Sequence, residues 1–428
     1  MATLINRHRV TRLTGFASAQ LVVQLLAFAG GLVVVRHMEL AQYGYFTLAL
    51  SLAGVATTLG DLGLATAVMA QGGPLARQPL ALGQLLADAG RQHVRMAALA
   101  SAVLLPFALA LLLRQHAPLW QALALSLLVA MVAVLNVRAG LALSVARLLG
   151  HVGLQQKLEL GLGCAKLAAL LLASWLMLDA TVASAVNVAA AAAAVWVLRG
   201  HMARHAPAPE RAAGLHLPAL RRQVWQQAPN AIYYVLSSQI AVWLIGIFGS
   251  AERVAEVGAL GRLGALFSLI GAVSATLVLP YFARRESGTE LSSGLVAING
   301  FFALLLASLL ALAWTVPEVL LWVLGAHYAG LHNELCWMLT ASTLAAWGGT
   351  LYSIGCARGW VMPFWLVAGS GVLATAGAAL SVDVSTVRGS YLINTVTALT
   401  ATVVALVYLV LQLRRHARST APLTSSRP

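Results

Sequence analysis

Long apolar runs without charge are the feature that most constrains how this chain can fold. Residues 115–137 and 223–251 contain no Asp, Glu, Lys or Arg. A helix of roughly 20 residues crosses a bilayer core of about 30 Å. Sixty per cent of the 428 residues are hydrophobic and only 9% are charged, whereas a soluble domain is about one-quarter charged. Because only helices or closed barrels span a membrane, these runs predict an all-α polytopic membrane protein.

Apolar windows bounded by turn and charge signals predict twelve transmembrane helices in two groups of six. The expected organisation is an N-terminal six-helix bundle (1–198), a basic linker (199–223), a C-terminal six-helix bundle (224–413) and a tail (414–428). The predicted spans are 13–35, 43–70, 94–113, 119–147, 157–178, 180–198, 224–249, 254–282, 294–316, 332–356, 360–382 and 389–412.

Two further sequence features support this arrangement. Residues 41–54 and 255–268 share a weak internal similarity, which favours two halves related by a pseudo-two-fold axis. Repeats of this kind are typical of transporters that alternate access around a central site. The alanine run 189–194 in the sixth span suits close packing between helices, since small side chains let backbones approach.

The basic residues indicate the orientation. Cytoplasmic loops collect Lys and Arg, and the predicted spans place most of the 27 basic residues on one side if both termini are cytoplasmic. This distribution explains the formal net charge of +14 without any nucleic-acid partner. The exceptions are Arg36, Arg114, Arg253 and Arg388 in outer segments, and Arg138, Lys166 and Arg262 at membrane depth.

Catalytic and metal-binding motifs are not apparent in the sequence. The segment GLGCAKL (161–167) lacks the Ser or Thr of a Walker loop and lies in a predicted span. Cys164, Cys336 and Cys356 fall in or near apolar segments, and the histidines are mostly terminal or in loops, without metal-ligand spacing. We therefore expect no enzyme activity, no cofactor and no metal site.

Three cations at membrane depth are candidate functional residues. An Arg or Lys at the centre of a bilayer is disfavoured by about 2.5–3.5 kcal/mol on the insertion scale, so such residues usually serve a function. Cations that line a cavity suit an anionic substrate, above all phosphate. Snorkelling or structural pairing remains the alternative for each. The three residues are Arg138, Lys166 and Arg262.

Polar residues in the first two spans form a second candidate set. In the second span they recur at steps of four and three, which places them on one helix face. Such a face must meet protein or a water-filled cavity, so it is either a cavity stripe or a set of interhelical hydrogen bonds. The residues are Gln20 and Gln24 in the first span, and Thr47, Ser51, Thr58 and Asp61 in the second.

The segment VVVRHMELAQYGYFTLALSLAGVATTLGDLGLATAV (33–68) resembles the opening signature of Wzx-type polysaccharide flippases. These belong to the multidrug/oligosaccharidyl-lipid/polysaccharide (MOP) superfamily, which includes the MATE transporters. The resemblance extends to residues 228–284 and 316–330, and the matching positions in the first segment are Arg36, Tyr43, Gly44, Tyr45, Asp61 and Gly63.

The resemblance implies a MATE-like fold and the transfer of a polyprenyl-pyrophosphate-linked oligosaccharide across the bacterial inner membrane. The cargo would be a repeat unit of O-antigen, capsule or exopolysaccharide, and polymerase and chain-length proteins would be partners. In this hypothesis Arg262, Arg138, Lys166 and Arg36 contact phosphate or acidic sugar. Asp61, flanked by Gly60 and Gly63 where a helix can bend, is a gate or a charge-pairing residue, an ion-coupling residue for Na⁺ or H⁺, or a plain interfacial acid.

Other functions remain open at the level of sequence. A Na⁺- or H⁺-coupled drug antiporter of the same superfamily needs an acid deep in the cavity, for which Asp61 and Glu159 are available. A membrane-embedded glycosyltransferase, ligase or polymerase needs a long charged outer loop, but the predicted outer loops are short. A scaffold for glycan assembly is the third alternative to a flippase.

Overall fold

The computed structural model is all-helical over the residues that it describes. These are residues 4–207, 214–264 and 288–420, together with single positions between 267 and 282, and no strand occurs among them. The first half contains α1 (Leu4–His37), α2 (Leu40–Asp61), α3 (Leu64–Gly72), α4 (Pro79–Arg114), α5 (Leu119–Leu148), α6 (Val152–Leu176), α7 (Ala180–His205), α8 (Leu217–Phe248) and α9 (Ala251–Gly264).

The second half continues the helical pattern with shorter connecting elements. A 3₁₀ turn, Ala326–Tyr328, lies between two of its helices. The helices are α10 (Gly288–Thr315), α11 (Pro317–Leu324), α12 (His332–Ala357), α13 (Phe364–Ser381) and α14 (Val387–Thr420).

Ten helical segments in the described part of the chain are long and apolar enough to cross a membrane. They coincide with ten of the predicted spans, and the protein is therefore a multi-pass membrane protein, as predicted. The predicted tenth span forms α12, which is helical but is not among the ten. The predicted eighth span begins in α9, and much of its remainder, beyond Gly264, lies outside the described residues.

Several helices extend past the predicted membrane segments. The third span was expected to begin at residue 94, but α4 begins at Pro79. Proline suits the first turn of a helix because its missing N–H has no partner there in any case. The polar residues that follow Pro79 still form backbone hydrogen bonds within the helix. The helix can therefore extend beyond the apolar segment that would cross the membrane.

The second predicted span is broken rather than continuous. Leu62 and Gly63 both have left-handed backbones, with φ of 38° and 82°, and they separate α2 from α3. The Asp61 carboxylate accepts hydrogen bonds from the backbone N–H groups of Gly63 at 3.2 Å and Ala65 at 2.9 Å. These bonds satisfy donors that the start of α3 would otherwise leave unpaired. Asp61 therefore caps the break.

The contacts of the chain divide it into two compact units, Met1–Gly258 (unit 1) and Ala259–Pro428 (unit 2). In unit 1, α8 packs against α2, α3 and α4. One end of unit 1 holds an apolar cluster that includes Leu82 and Leu85 of α4, Leu198 of α7 and Leu220 of α8, all fully buried. This cluster fixes the ends of four helices and the α3 segment that follows the break.

Close backbone approach in unit 1 requires glycine at one position of α2. A Cβ at Gly44 would overlap the carbonyl of Ala251 at the start of α9. Because no side chain fits there, this close contact explains why glycine follows Tyr43 in the sequence.

In unit 2, α12 and α14 form the most extensive helix pair. A Cβ at Gly348 of α12 would lie 2.8 Å from the Thr402 hydroxyl oxygen of α14, and that hydroxyl donates to the carbonyl of Leu344 at 2.8 Å. Small residues and short polar side chains are the usual means by which helices associate in membranes.

Candidate functional site

Four helices of unit 1 line a partly open cavity of about 490 Å³. Helices α2, α5, α6 and α7 contribute its walls, which are mostly apolar. This volume lies within the range of roughly 300–1,000 Å³ that is usual for small-molecule sites. The polar side chains in the wall are Thr57, Asn136, Lys166, Ser184 and Asn187.

Small side chains create this space. The alanine run in α7 is predicted to support close packing, and Ala191 and Ala194 are buried; together with Ala190 they also line the cavity. Across from them, Ala49, Ala53 and Gly54 of α2 form part of the facing wall. The side chains on both helices are too short to fill the space between them. Small residues, which elsewhere permit close packing, therefore leave a cavity at this point.

The polar part of the cavity wall consists of one cation with amides and hydroxyls. Lys166 of α6 is partly buried and is the charged side chain among the lining residues, none of which is Asp or Glu. Asn136 of α5 and Asn187 of α7 each offer an amide that can donate and accept hydrogen bonds. The Thr57 hydroxyl donates to the carbonyl of Ala53 at 2.7 Å, which leaves its oxygen lone pairs as acceptors.

Arg138 does not line the cavity that contains Lys166, although both residues were predicted to lie at membrane depth. Arg138 and Asn136 are two residues apart on α5, so they point about 200° apart around the helix axis. Arg138 is exposed in an open groove between α4 and α5 that it shares with Arg91 and Arg95. The structure thus divides these two predicted cations between a cavity and a groove.

The other predicted cations are not among the residues that line this cavity. Arg262 is partly buried in the last turn of α9 and belongs to unit 2. Arg36 is exposed in the last turn of α1. Gln20 and Gln24, also on α1, are partly buried and are not among the lining residues.

Two residues of the predicted polar stripe on α2 are used in helix packing. Ser51 is 8% exposed and accepts a hydrogen bond from the indole N–H of Trp243 on α8 at 3.0 Å. Thr47 is 7% exposed and lies directly against Gly258 of α9. Thr58 donates within its own helix to the carbonyl of Gly54 at 3.0 Å. None of the three lines the cavity described above.

Sequence reasoning missed the buried acid of α4. Asp88 is 1% exposed, and its carboxylate accepts the backbone N–H groups of Gly214 at 3.1 Å and His216 at 3.0 Å. It therefore holds the chain that leads into α8. The available signal was a lone acid in an otherwise apolar and basic stretch of a chain that contains only 13 acids.

The opposite end of α8 is held by α4 as well. The Gln115 side-chain amide donates to the carbonyls of Gly246 at 2.7 Å and Gly249 at 3.1 Å. The Arg114 guanidinium donates to the carbonyl of Ile247. These bonds satisfy carbonyls that a helix end leaves without partners, so α4 and α8 are joined at both ends.

No family model matches the sequence, and no curated protein matches it either. The fold, in contrast, matches solved structures over almost the whole chain. One is the lipid II flippase MurJ in an inward closed conformation, with a TM-score of 0.73 and 10% identity over 94% of this chain and 90% of that chain.

Two MOP-superfamily transporters of known structure are also similar. An inward-facing multidrug resistance MATE family transporter has a TM-score of 0.67 and 14% identity over 95% of this chain and 100% of that chain. A Pyrococcus furiosus transporter, described as having a binding pocket of reversed polarity, has a TM-score of 0.61 and 14% identity over 94% of both chains. The chain therefore has a MATE-like fold, as the sequence predicted.

Proposed function

We propose that this protein is a flippase that carries an anionic, lipid-linked oligosaccharide across the bacterial inner membrane. The cargo would be a polyprenyl-pyrophosphate-linked repeat unit of O-antigen, capsule or exopolysaccharide, moved by alternating access. The observation that carries this proposal is the composition of the unit 1 cavity, in which Lys166 is accompanied by amides and hydroxyls and by no carboxylate.

The charge of the cavity favours a phosphate-bearing cargo over a cationic one. A partly buried cation attracts a pyrophosphate more strongly than a fully exposed one, because surrounding protein screens charge less than water does. Hydroxyl groups of a sugar both donate and accept hydrogen bonds, and the Asn136 and Asn187 amides do the same. The apolar remainder of the wall suits the ring faces of a sugar.

The other cations have supporting roles in this proposal. The groove of Arg91, Arg95 and Arg138 would attract the pyrophosphate headgroup before it enters, since arginine matches phosphate with paired hydrogen bonds. Arg262 and Arg36 remain proposed contacts for phosphate or acidic sugar. With both termini proposed to be cytoplasmic, the cargo would be received from the cytoplasmic leaflet.

The second candidate function is a Na⁺- or H⁺-coupled antiporter, and the MATE transporters of similar fold favour it. Such a transporter needs a carboxylate that is free to bind an ion or proton in its cavity. The Asp61 carboxylate is already engaged by two backbone N–H groups. Glu159 accepts a hydrogen bond from Gln155 at 2.7 Å and does not line the cavity. These engagements support the flippase.

Deleting the gene in its host tests the proposed function. We expect the lipid-linked repeat unit to accumulate at the inner membrane and surface polysaccharide to fall, because synthesis continues while translocation stops. Expression of the wild-type protein should reverse both effects, and expression of the Lys166→Glu variant should not. Normal polysaccharide without trapped intermediate, together with lost drug resistance, would favour the antiporter instead.

A further inference from the structure

Three histidines from two separate parts of unit 1 meet at one point. His151 precedes α6 in the turn after α5, and His201 and His205 lie one helical turn apart near the end of α7. One ring nitrogen of each of the three lies within 4.8 Å of the others. The sequence predicted no metal site, because His151 is far from the other two along the chain and the pair on α7 lacked a visible third partner.

The ring contacts show how closely the three side chains converge. Nδ1 of His151 lies 3.0 Å from Nε2 of His201. The His201 and His205 rings are stacked with centroids 4.3 Å apart, and His151 meets each of them edge-on at 4.9 Å. All three side chains are partly buried.

The hydrogen bond of His205 leaves one of its ring nitrogens available as a metal ligand. The Nδ1 of His205 lies 3.0 Å from the carbonyl of His201. A carbonyl can only accept, so Nδ1 carries the hydrogen and Nε2 carries the lone pair. Hydrogen bonding of the second nitrogen to a carbonyl is the usual way in which a ligating histidine is oriented.

We propose that His151, His201 and His205 bind a divalent transition metal, with Zn²⁺ as the best fit, and that the metal fastens the α5–α6 turn to the end of α7. Zinc binds imidazole nitrogen at about 2.0–2.1 Å in a tetrahedral arrangement, which places two ligand nitrogens about 3.3 Å apart. The 3.0 Å separation of His151 and His201 needs only a small adjustment to reach that value. Three imidazoles leave the fourth position to water.

Metal binding by the purified full-length protein tests this proposal without any transport assay. The protein should carry no polyhistidine tag, be stripped with a chelator, and then be dialysed against buffered ZnCl₂. Elemental analysis should find one zinc per chain. A Co²⁺ substitute should give the intense visible absorption of a tetrahedral site.

Single substitutions locate the site. His201→Ala and His205→Ala should each weaken zinc binding by at least about tenfold, because each removes a ligand. His205→Cys should retain binding, since a thiolate also ligates zinc. His37→Ala is the matched control: His37 also lies in the last turn of a helix, and its Nδ1 contacts the Val33 carbonyl at 3.0 Å, but it is outside the cluster.

Thermal unfolding in detergent gives a second readout and reports whether each variant folds. Zinc at about 100 times its dissociation constant should raise the Tm of the wild type by roughly 5 °C. The same addition should leave the Tm of a folded His201→Ala variant unchanged. Absence of zinc from the wild type, or equal zinc affinity in the wild type and His201→Ala, would overturn the proposal.

Discussion

Two regions of unit 1 use similar polar residues for different purposes. In the cavity between α2, α5, α6 and α7, the side chains of Asn136, Lys166 and Asn187 line open space. In the contacts of α4 and α8, and at the break after α2, the side chains of Asp88 and Asp61 are bonded to backbone N–H groups. The first set of side chains is proposed to receive a ligand, whereas the second stabilises the fold.

The difference shows that the presence of a charge in a membrane segment does not reveal its role. Asp61 and Lys166 are equally unusual in an apolar sequence. Asp61 accepts hydrogen bonds from two backbone N–H groups near the start of α3, whereas Lys166 lines a cavity of about 490 Å³. Substitution separates the two roles, because a cavity residue should change transport and a packing residue should change stability.

The largest expected effect follows Lys166→Glu. Reversing this charge removes a charge-assisted contact of about 1.5–3 kcal/mol and adds repulsion of the pyrophosphate, so export should fall by about 100-fold. Lys166→Arg is the control, since it keeps the charge, and it should retain most activity. The measurement is surface polysaccharide per molecule of protein in the membrane. Full export by Lys166→Glu would remove Lys166 from the site.

Asp88→Ala should produce the next largest effect, on stability. The substitution leaves the N–H groups of Gly214 and His216 without their acceptor in a buried setting, which should destabilise the protein by about 2 kcal/mol. Thermal unfolding in detergent measures the change. Asp88→Asn should be milder because an amide oxygen still accepts. An unchanged Tm in Asp88→Ala would show that this contact does not hold α8.

Two substitutions of Asp61 distinguish a helix-capping role from an ion-coupling role. Asp61→Ala should lower stability by about 1 kcal/mol through loss of the cap, and Asp61→Asn should lose only a few tenths, because asparagine caps helices well. Asn cannot bind a proton or Na⁺ as a carboxylate does, so Asp61→Asn should keep transport if Asp61 only caps. Transport that is abolished in stable Asp61→Asn would support ion coupling instead.

The smallest effect is expected for Arg138→Gln. This side chain is exposed in an open groove beside Arg91 and Arg95, where an ion pair is typically worth 1 kcal/mol or less. Export should fall by about threefold or less, and the loss should shrink at higher ionic strength because salt screens exposed charges. A loss as large as that of Lys166→Glu would place the groove, and not the cavity, at the centre of the substrate path.

The membrane segments were predictable because their length and apolarity follow from bilayer thickness. The break at Leu62 and Gly63 was not, although Gly60 and Gly63 suggested bending there. A left-handed Leu62 has no sequence signature, and only the structure shows that Asp61 satisfies the start of α3. The helix extensions were missed because polar turns can continue a helix outside the membrane.

The sequence identified which cations are candidates, but it did not show which of them line the cavity. Helical spacing places Asn136 and Arg138 on different faces of α5, but the rotation of α5 against its neighbours decides which face meets the cavity. That rotation depends on packing with the five helices that α5 contacts. The same limit applies to His151, whose proximity to His201 and His205 arises from the arrangement of α5, α6 and α7.

Reconstituted transport tests the central claim most directly. Purified protein in proteoliposomes would be given a fluorescent polyprenyl-pyrophosphate-linked sugar, and translocation would be followed by the loss of access to an external enzyme. We expect rapid translocation by the wild type, slower translocation of a monophosphate analogue, and almost none by Lys166→Glu. Equal rates for wild type and Lys166→Glu, or transport of cationic drugs but not of the lipid-linked sugar, would contradict the account.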